Sequence, residues 1–298
     1  MKRKFRMNPI MKKELVVGSR SIKMSIAILG INLFLVLIVI LIMATTNLAS
    51  GSSGYDYSAL LMIFPVLGCT EVGLLSLIVP IITSGSISGE REKQTLEIML
   101  TTPVTPFSIA AGKLGAAMTV VMMYMISSIP IMSIAFVLGG MSWWALIGLI
   151  GMLLYLGIYV GSVGVFCSSV VKKSIAATIL TIAIGIGILV ATSTIFYTWV
   201  GIWAYRDSIG TAHSAPVLSP IVMMFNPYSP IFDFMLRSMT SASIYGIIDQ
   251  AWQPSGLLAL IYKGWIPVSV ALNLLVSTGF LKLAGRNISV TRNNKKRK

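Results

Sequence analysis

Long apolar stretches alternate with short polar ones along this chain, on a scale far longer than the period of a strand or of a single amphipathic helix turn. Six stretches, roughly 24–45, 60–83, 114–138, 144–168, 174–198 and 264–283, are almost free of charge. Each is close to or above the ~20 residues that an α-helix needs to cross the ~30 Å hydrocarbon core of a bilayer. The pattern predicts an all-α polytopic membrane protein with six transmembrane helices, both termini on one side, and the whole chain, 1–298, as a single transmembrane domain. The first run follows a basic start, as a signal peptide would, but its core from Ile26 to Met43 exceeds the usual apolar region of about 7–15 residues. It reads as a retained first span.

Charge chooses the orientation. Eight of the 23 Lys and Arg precede Met24, three lie between the second and third spans, two between the fourth and fifth, and seven from Lys282 onward. Twenty therefore fall on one face, against Arg206, Arg237 and Lys263 on the other. The positive-inside rule makes the basic face cytoplasmic, so the expected location is the cell membrane, multi-pass, with both termini inside. A net charge of +14 would suggest nucleic acid in a soluble protein, but here the basic residues flank apolar spans, which excludes that partner and favours membrane lipid. With 56% hydrophobic and 11% charged residues, the few charges away from the ends stand out.

The polar segments carry their own signals. Residues 1–23 hold Asn8 and Pro9 as a helix start, with Met11, Leu15 and Ile22 on one face and lysines on another, a pattern for an in-plane connecting helix. The outer segment 199–263 contains "SPIFDFMLRSM", where Ser229 can cap a helix, Pro230 suits its first turn, and Asp233 and Arg237 form an i,i+4 pair. Short outer or re-entrant helices between spans five and six follow. The tail 284–298 is strongly basic.

Catalytic motifs are missing. The sequence has no G-x-x-x-x-G-K-[ST] phosphate loop, and His213 is its sole histidine, so neither a zinc-binding H-E-x-x-H nor a Ser-His relay can form within the spans. Neither a catalytic residue nor a cofactor or metal ligand is assigned. Cys69 and Cys167 both lie in apolar runs and read as small hydrophobes. Glu71 is the one carboxylate deep inside a span. With Asn32 and Asn273 it forms a candidate translocation path; alternatively it packs against groups such as Thr70, Asn32 or Asn273. In the fourth span Gly157, Gly161, Gly164 and Ser168 share one face and allow close helix approach, within the chain or to a second copy.

The densest signal is "ISGEREKQTLEIML", Ile87 to Leu100, inside the polar segment 84–113. Ser88 can cap a helix whose first turn holds Glu90 and Glu92, where the dipole favours anions. Thr101, Thr102 and Pro103 end it, and Thr105 with Pro106 starts the next helix. A short amphipathic helix with a Leu96, Met99 and Leu100 edge is expected.

From Val79 to Leu114 the sequence resembles the ABC-2 type permeases, the membrane subunits of type V ATP-binding cassette exporters. The shared features are an apolar span, a small-residue turn, the acid-Arg-acid triplet Glu90-Arg91-Glu92, the pair Thr95-Leu96, Leu100, the stop Thr102-Pro103, and Gly112-Lys113 at the next span. "FNPYSPIF", Phe225 to Phe232, is similar to an Asn-Pro stretch of that family. The resemblance implies a permease subunit of an exporter, not itself an enzyme, whose cytoplasmic coupling helix between spans two and three contacts a separate ATPase. ATP and Mg would be held by two cytoplasmic ATPase subunits, and a second permease copy or homologue would complete a homo- or heterodimer. Glu90, Arg91, Glu92, Thr95, Leu96 and Leu100 would be the coupling residues. The alternatives are an ATP-independent carrier or membrane scaffold using Glu71, or a membrane-embedded enzyme using acids such as Asp207, Asp233 and Asp249.

Overall fold

The computed structural model describes residues 22–49, 61–96, 105–139, 142–210, 218–240 and 264–296. Among these residues the regular structure is entirely helical: α1 (Ile22–Ala49), α2 (Ile63–Glu92), α3 (Pro106–Gly139), α4 (Trp143–Val170), α5 (Ser174–Ser208), α6 (Leu218–Met224), α7 (Ser229–Thr240) and α8 (Trp265–Lys296). Six of them, α1 to α5 and α8, are long and apolar enough to cross a membrane. Among the described residues two short helices, α6 and α7, lie between the fifth and sixth spans. Residues 1–21 of the proposed connecting helix (1–23) and 97–100 of the proposed coupling helix (Ile87 to Leu100) fall outside the described residues.

The predicted start at Thr105-Pro106 holds: α3 opens at Pro106, and the Ser108 N–H donates to Thr105 Oγ1 at 3.3 Å. α4 is capped by Ser142, which the sequence reading did not single out; its hydroxyl accepts from the Ala145 N–H. On α7, Arg237 Nε reaches Asp233 Oδ2 at 2.8 Å, the i,i+4 pair read from the sequence. Several spans run further than hydropathy suggested: α2 continues to Glu92, α5 to Ser208 and α8 to Lys296, and α3 begins already at Pro106, because polar residues at a helix end cost little once the helix has left the hydrocarbon.

α4 is the hub. It packs against α2, α3, α5, α7 and α8, and 61% of its most apolar window is buried, against 11% for α1 and α5. Lipid tails are as apolar as leucine, so shape, not hydrophobicity, selects a central helix here. The small-residue stripe supplies that shape within the chain. A Cβ on Gly161 would sit 2.6 Å from Leu114 Cδ1, and one on Gly164 would sit 2.0 Å from Thr83 Oγ1 and 2.9 Å from Thr83 Cβ. At the other end of α4 the Phe234 ring of α7 lies over Gly148, 2.3 Å from where a Cβ would be. Cys167 is buried in this core, whereas Cys69 is exposed on α2.

Hydroxyls complete the α2–α4–α5 contact. Ser168 Oγ on α4 accepts from the Ile87 and Ser88 N–H groups of α2, both at 2.9 Å, and Ser88 Oγ lies 3.3 Å from Ser174 Oγ at the start of α5.

The close approach at Gly164 yields a test. Gly164→Val should destabilise the protein by about 1–3 kcal/mol through overpacking against Thr83. Gly187→Ala on α5, where a Cβ meets nothing within 4 Å, should leave stability equal or slightly higher. Thermal unfolding of both variants in one detergent reads the difference.

Candidate functional site

The triplet Glu90-Arg91-Glu92 does not begin a new helix. α2 runs unbroken through Ser88, which is buried and spends its hydroxyl on the Ser84 carbonyl at 2.6 Å, so it caps nothing. The reading of Ser88 as an N-cap, with Glu90 and Glu92 in a first turn, is therefore corrected: these acids sit in the last turn of the second span. Local hydroxyl-to-carbonyl bonding by serine is compatible with a helix interior, and here the continuous α2–α4 packing overrides the capping signal.

The helix stops in a left-handed cap. Gln94 has φ +58°, its N–H donates to Arg91 O at 3.2 Å, and the Thr95 N–H donates to Glu90 O at 2.9 Å. This pair of 5→2 and 6→1 bonds is a Schellman motif, with Gln94 in the position that glycine usually fills. Thr95 Oγ1 also hydrogen-bonds to Glu90 Oε2, and Leu96 then turns back into the core at 5% exposure.

At a helix C-terminus two acids oppose the dipole. Each charge of the triplet is matched instead by another helix. Glu90 Oε1 lies 3.3 Å from Lys113 Nζ on α3. The Arg91 guanidinium donates to two carbonyls at the end of α4, Ser169 O at 3.2 Å and Val171 O at 3.4 Å. Glu92 accepts from both groups of Ser174, the N–H at 2.9 Å and Oγ at 3.0 Å, and so caps the N-terminus of α5. A cation thus meets the negative end of one helix and an anion the positive end of the next, across the Val171–Lys173 turn. Asn287 on α8 adds a 3.2 Å bond to Ser169 Oγ. One turn of α2 thereby touches α3, α4 and α5, with α8 one bond away.

The described coupling residues Glu90, Arg91, Glu92, Thr95 and Leu96 form one cluster, while Leu100 lies outside the described residues. Sequence reasoning missed Ser169, Ser174 and Gln94. A serine directly after Lys172-Lys173 was a legible helix start, but its partner comes from 82 residues away. Nothing marks a glutamine for φ > 0.

Glu71, Asn32 and Asn273 are not joined by hydrogen bonds. Asn32 Nδ2 on α1 donates to Ser127 Oγ on α3 at 2.9 Å, and Asn273 Nδ2 on α8 donates to Met224 O of α6 at 2.9 Å. Both are interhelical ties. Glu71 is 1% exposed, and neither carboxylate oxygen has a hydrogen-bond partner among the described residues. Ser128 and Tyr124 of α3 face it, but the Ser128 hydroxyl donates to Met125 O at 3.0 Å. Thr70, one of the expected partners, bonds to Val66 O instead.

Residues 19–201 match the model of a family described as ABC-2 family transporter protein. The chain belongs to the ABC-2 transporter family. The match spans more than half of the chain, takes in the triplet and its partners Lys113, Ser169 and Ser174, and ends before α6. No curated protein matches the chain. Family and helices together make it a multi-pass membrane component of a transporter, of a kind that generally associates with an ABC ATPase.

Two substitutions test this ABC-2 protein's helix junction. Gln94→Gly should raise stability by about 1 kcal/mol, since glycine adopts the left-handed conformation freely. Arg91→Ala should lower it by about 1 kcal/mol, the discounted worth of two half-exposed charge-assisted bonds. Opposite shifts in the unfolding midpoint are the expected reading.

Proposed function

We propose that this chain is the permease subunit of an ATP-binding cassette exporter of the type V class, powered by two separate cytoplasmic ATPase subunits that hold ATP and Mg. Its location is the cell membrane, with the triplet end and both termini cytoplasmic, as the charge asymmetry favours. The observation that carries the reading is the junction itself: a single exposed cap, Lys93 to Thr95, stands on a turn bonded to α3, α4 and α5. A push on the segment 95–105 would be delivered to four spans together. In this reading Glu90, Arg91 and Glu92 transmit the force within the permease, while Thr95, Leu96 and Leu100 present or anchor the short segment that meets the ATPase.

A second copy, or a homologous permease, completes the transporter. The spans with least intrachain cover, α1 and α5, are the faces it would use. On α5, Gly187 meets open space, which suits close approach of another helix.

A second reading is favoured by Glu71. A carboxylate near the middle of a span costs about 2.5–3.5 kcal/mol on insertion scales, and this one has no hydrogen-bond partner among the described residues. A carrier that loads a proton or a sodium ion there would explain it without an ATPase.

The test is co-purification with a P-loop ATPase, followed by substrate-stimulated ATP hydrolysis. Arg91→Glu, which sets a carboxylate against the α4 carbonyls, should cut the coupling between hydrolysis and transport about tenfold or more while the bundle stays folded. Full coupling in that variant would remove the triplet's role. Ion-driven flux without nucleotide, lost in Glu71→Gln, would instead establish the carrier.

A further inference from the structure

A cleft of about 440 Å³ opens between the first turn of α3 and the later turns of α8, lined by Pro106, Phe107, Lys282, Gly285, Arg286 and Ser289. Gly285 lets the two helices meet there: a Cβ on it would sit 3.1 Å from both the N and the Cα of Phe107. On α8 the exposed positions Pro267, Ala271, Leu275, Thr278, Lys282 and Arg286 follow one another at steps of three or four residues, which places them in one stripe along the helix. The stripe is uncharged until Lys282. Arg286 lies about 32 Å along α8 from Trp265, so the two cations stand where the helix leaves a hydrocarbon layer about 30 Å thick. The exposed face is therefore basic at the membrane boundary and apolar toward the bilayer, the polarity of a single lipid.

The positive charge of the cleft is unopposed among the described residues. Its lining holds no carboxylate, and neither the Lys282 nor the Arg286 side chain has a hydrogen bond or an ion pair there. Ser289 adds no donor, since its hydroxyl is spent on Arg286 O at 2.7 Å. The sequence leaves little to neutralise the pair: in the topology read from hydropathy, the triplet face carries only Glu14, Glu90, Glu92 and Glu97 against twenty Lys and Arg, and Glu90 and Glu92 are already bonded at the junction. Lys282 and Arg286 are one turn apart, about 6 Å along the axis, close enough to share one phosphate. The guanidinium would offer it paired donors and the ammonium a point charge.

We propose that this cleft binds an anionic glycerophospholipid, its phosphate held between Lys282 and Arg286 and an acyl chain laid against Phe107 and along the apolar stripe of α8 toward Leu275. Phe107 is 46% and Leu275 66% exposed, so both offer apolar surface for the chain to cover. A free phosphate shares the headgroup chemistry but would leave that surface bare, and a zwitterionic lipid would set its ammonium against the two cations. The site is independent of the exporter reading: it needs only a membrane protein whose basic end lies at a lipid surface. A lipid seated there would tie the start of α3 to α8, so the composition of that leaflet would bear on how α3 enters the membrane.

The test is native mass spectrometry of the full chain released from nanodiscs containing equal phosphatidylglycerol and phosphatidylcholine. The expected result is one retained phosphatidylglycerol, preferred about fivefold or more. The double variant Lys282→Gln with Arg286→Gln, at two exposed positions, should lose that preference while its thermal unfolding midpoint stays put. Lys172→Gln with Lys173→Gln removes the same charge from the exposed turn between α4 and α5 and should keep it, which separates a site from general attraction to an anionic surface. Millimolar inorganic phosphate should not displace the lipid. No retained lipid, equal retention of the two lipids, a preference undiminished in the first variant or equally lost in both, or displacement by phosphate alone would overturn the proposal.

Discussion

The structure depends on satisfying helix ends at the membrane boundary. The turn between α4 and α5 leaves exposed carbonyls at one helix end and exposed amides at the next, only a few residues apart. Arg91 and Glu92, adjacent on α2, answer both with opposite charges. Their order is set by the direction of the chain: the guanidinium must reach α4's last carbonyls and the carboxylate α5's first amide. Reversing the two charges would oppose both dipoles. The triplet is thus a fitting between helices, and this explains why a sparsely charged chain concentrates charge at that place.

Packing beneath the junction has the same logic. Without a hydrophobic force between spans, close approach must be bought by small residues, and Gly161, Gly164 and Ser168 bring α4 onto α2 closely enough for Ser168 Oγ to accept from two α2 amides. That contact fixes the azimuth of α2, and hence where its last turn points. Outside the hub, α1 and α5 are weakly covered, which leaves the chain as a firm core with two faces turned to lipid or to another subunit.

Much of this was legible in the sequence. Hydropathy placed all six long helices, because in a bilayer length and apolarity alone decide what spans. Thr105-Pro106 and the Asp233–Arg237 pair were legible for local reasons, each needing only neighbours within four residues. The failures were tertiary. Ser88 had the right residue type and the right acids after it for a cap, and only the hydrogen bonds from Ser168 and the continuous α2–α4 contact show that the helix passes through. In its packing alternative Glu71 was to meet Thr70, Asn32 or Asn273, but each of those bonds elsewhere, Thr70 within α2 and the two asparagines to other helices. The bonds of Glu90, Arg91 and Glu92 to neighbouring helices were not legible, since partners 23 to 82 residues away in sequence cannot be inferred from spacing.

Glu92 of α2 holds the start of α5. Hydrogen–deuterium exchange across residues 171–178, in wild type and in Glu92→Ala, reads that hold. Exchange at the Ser174 amide and the first turn of α5 should be faster in the variant, with the middle of α5 unchanged. Identical exchange at Ser174 in the two proteins would contradict it.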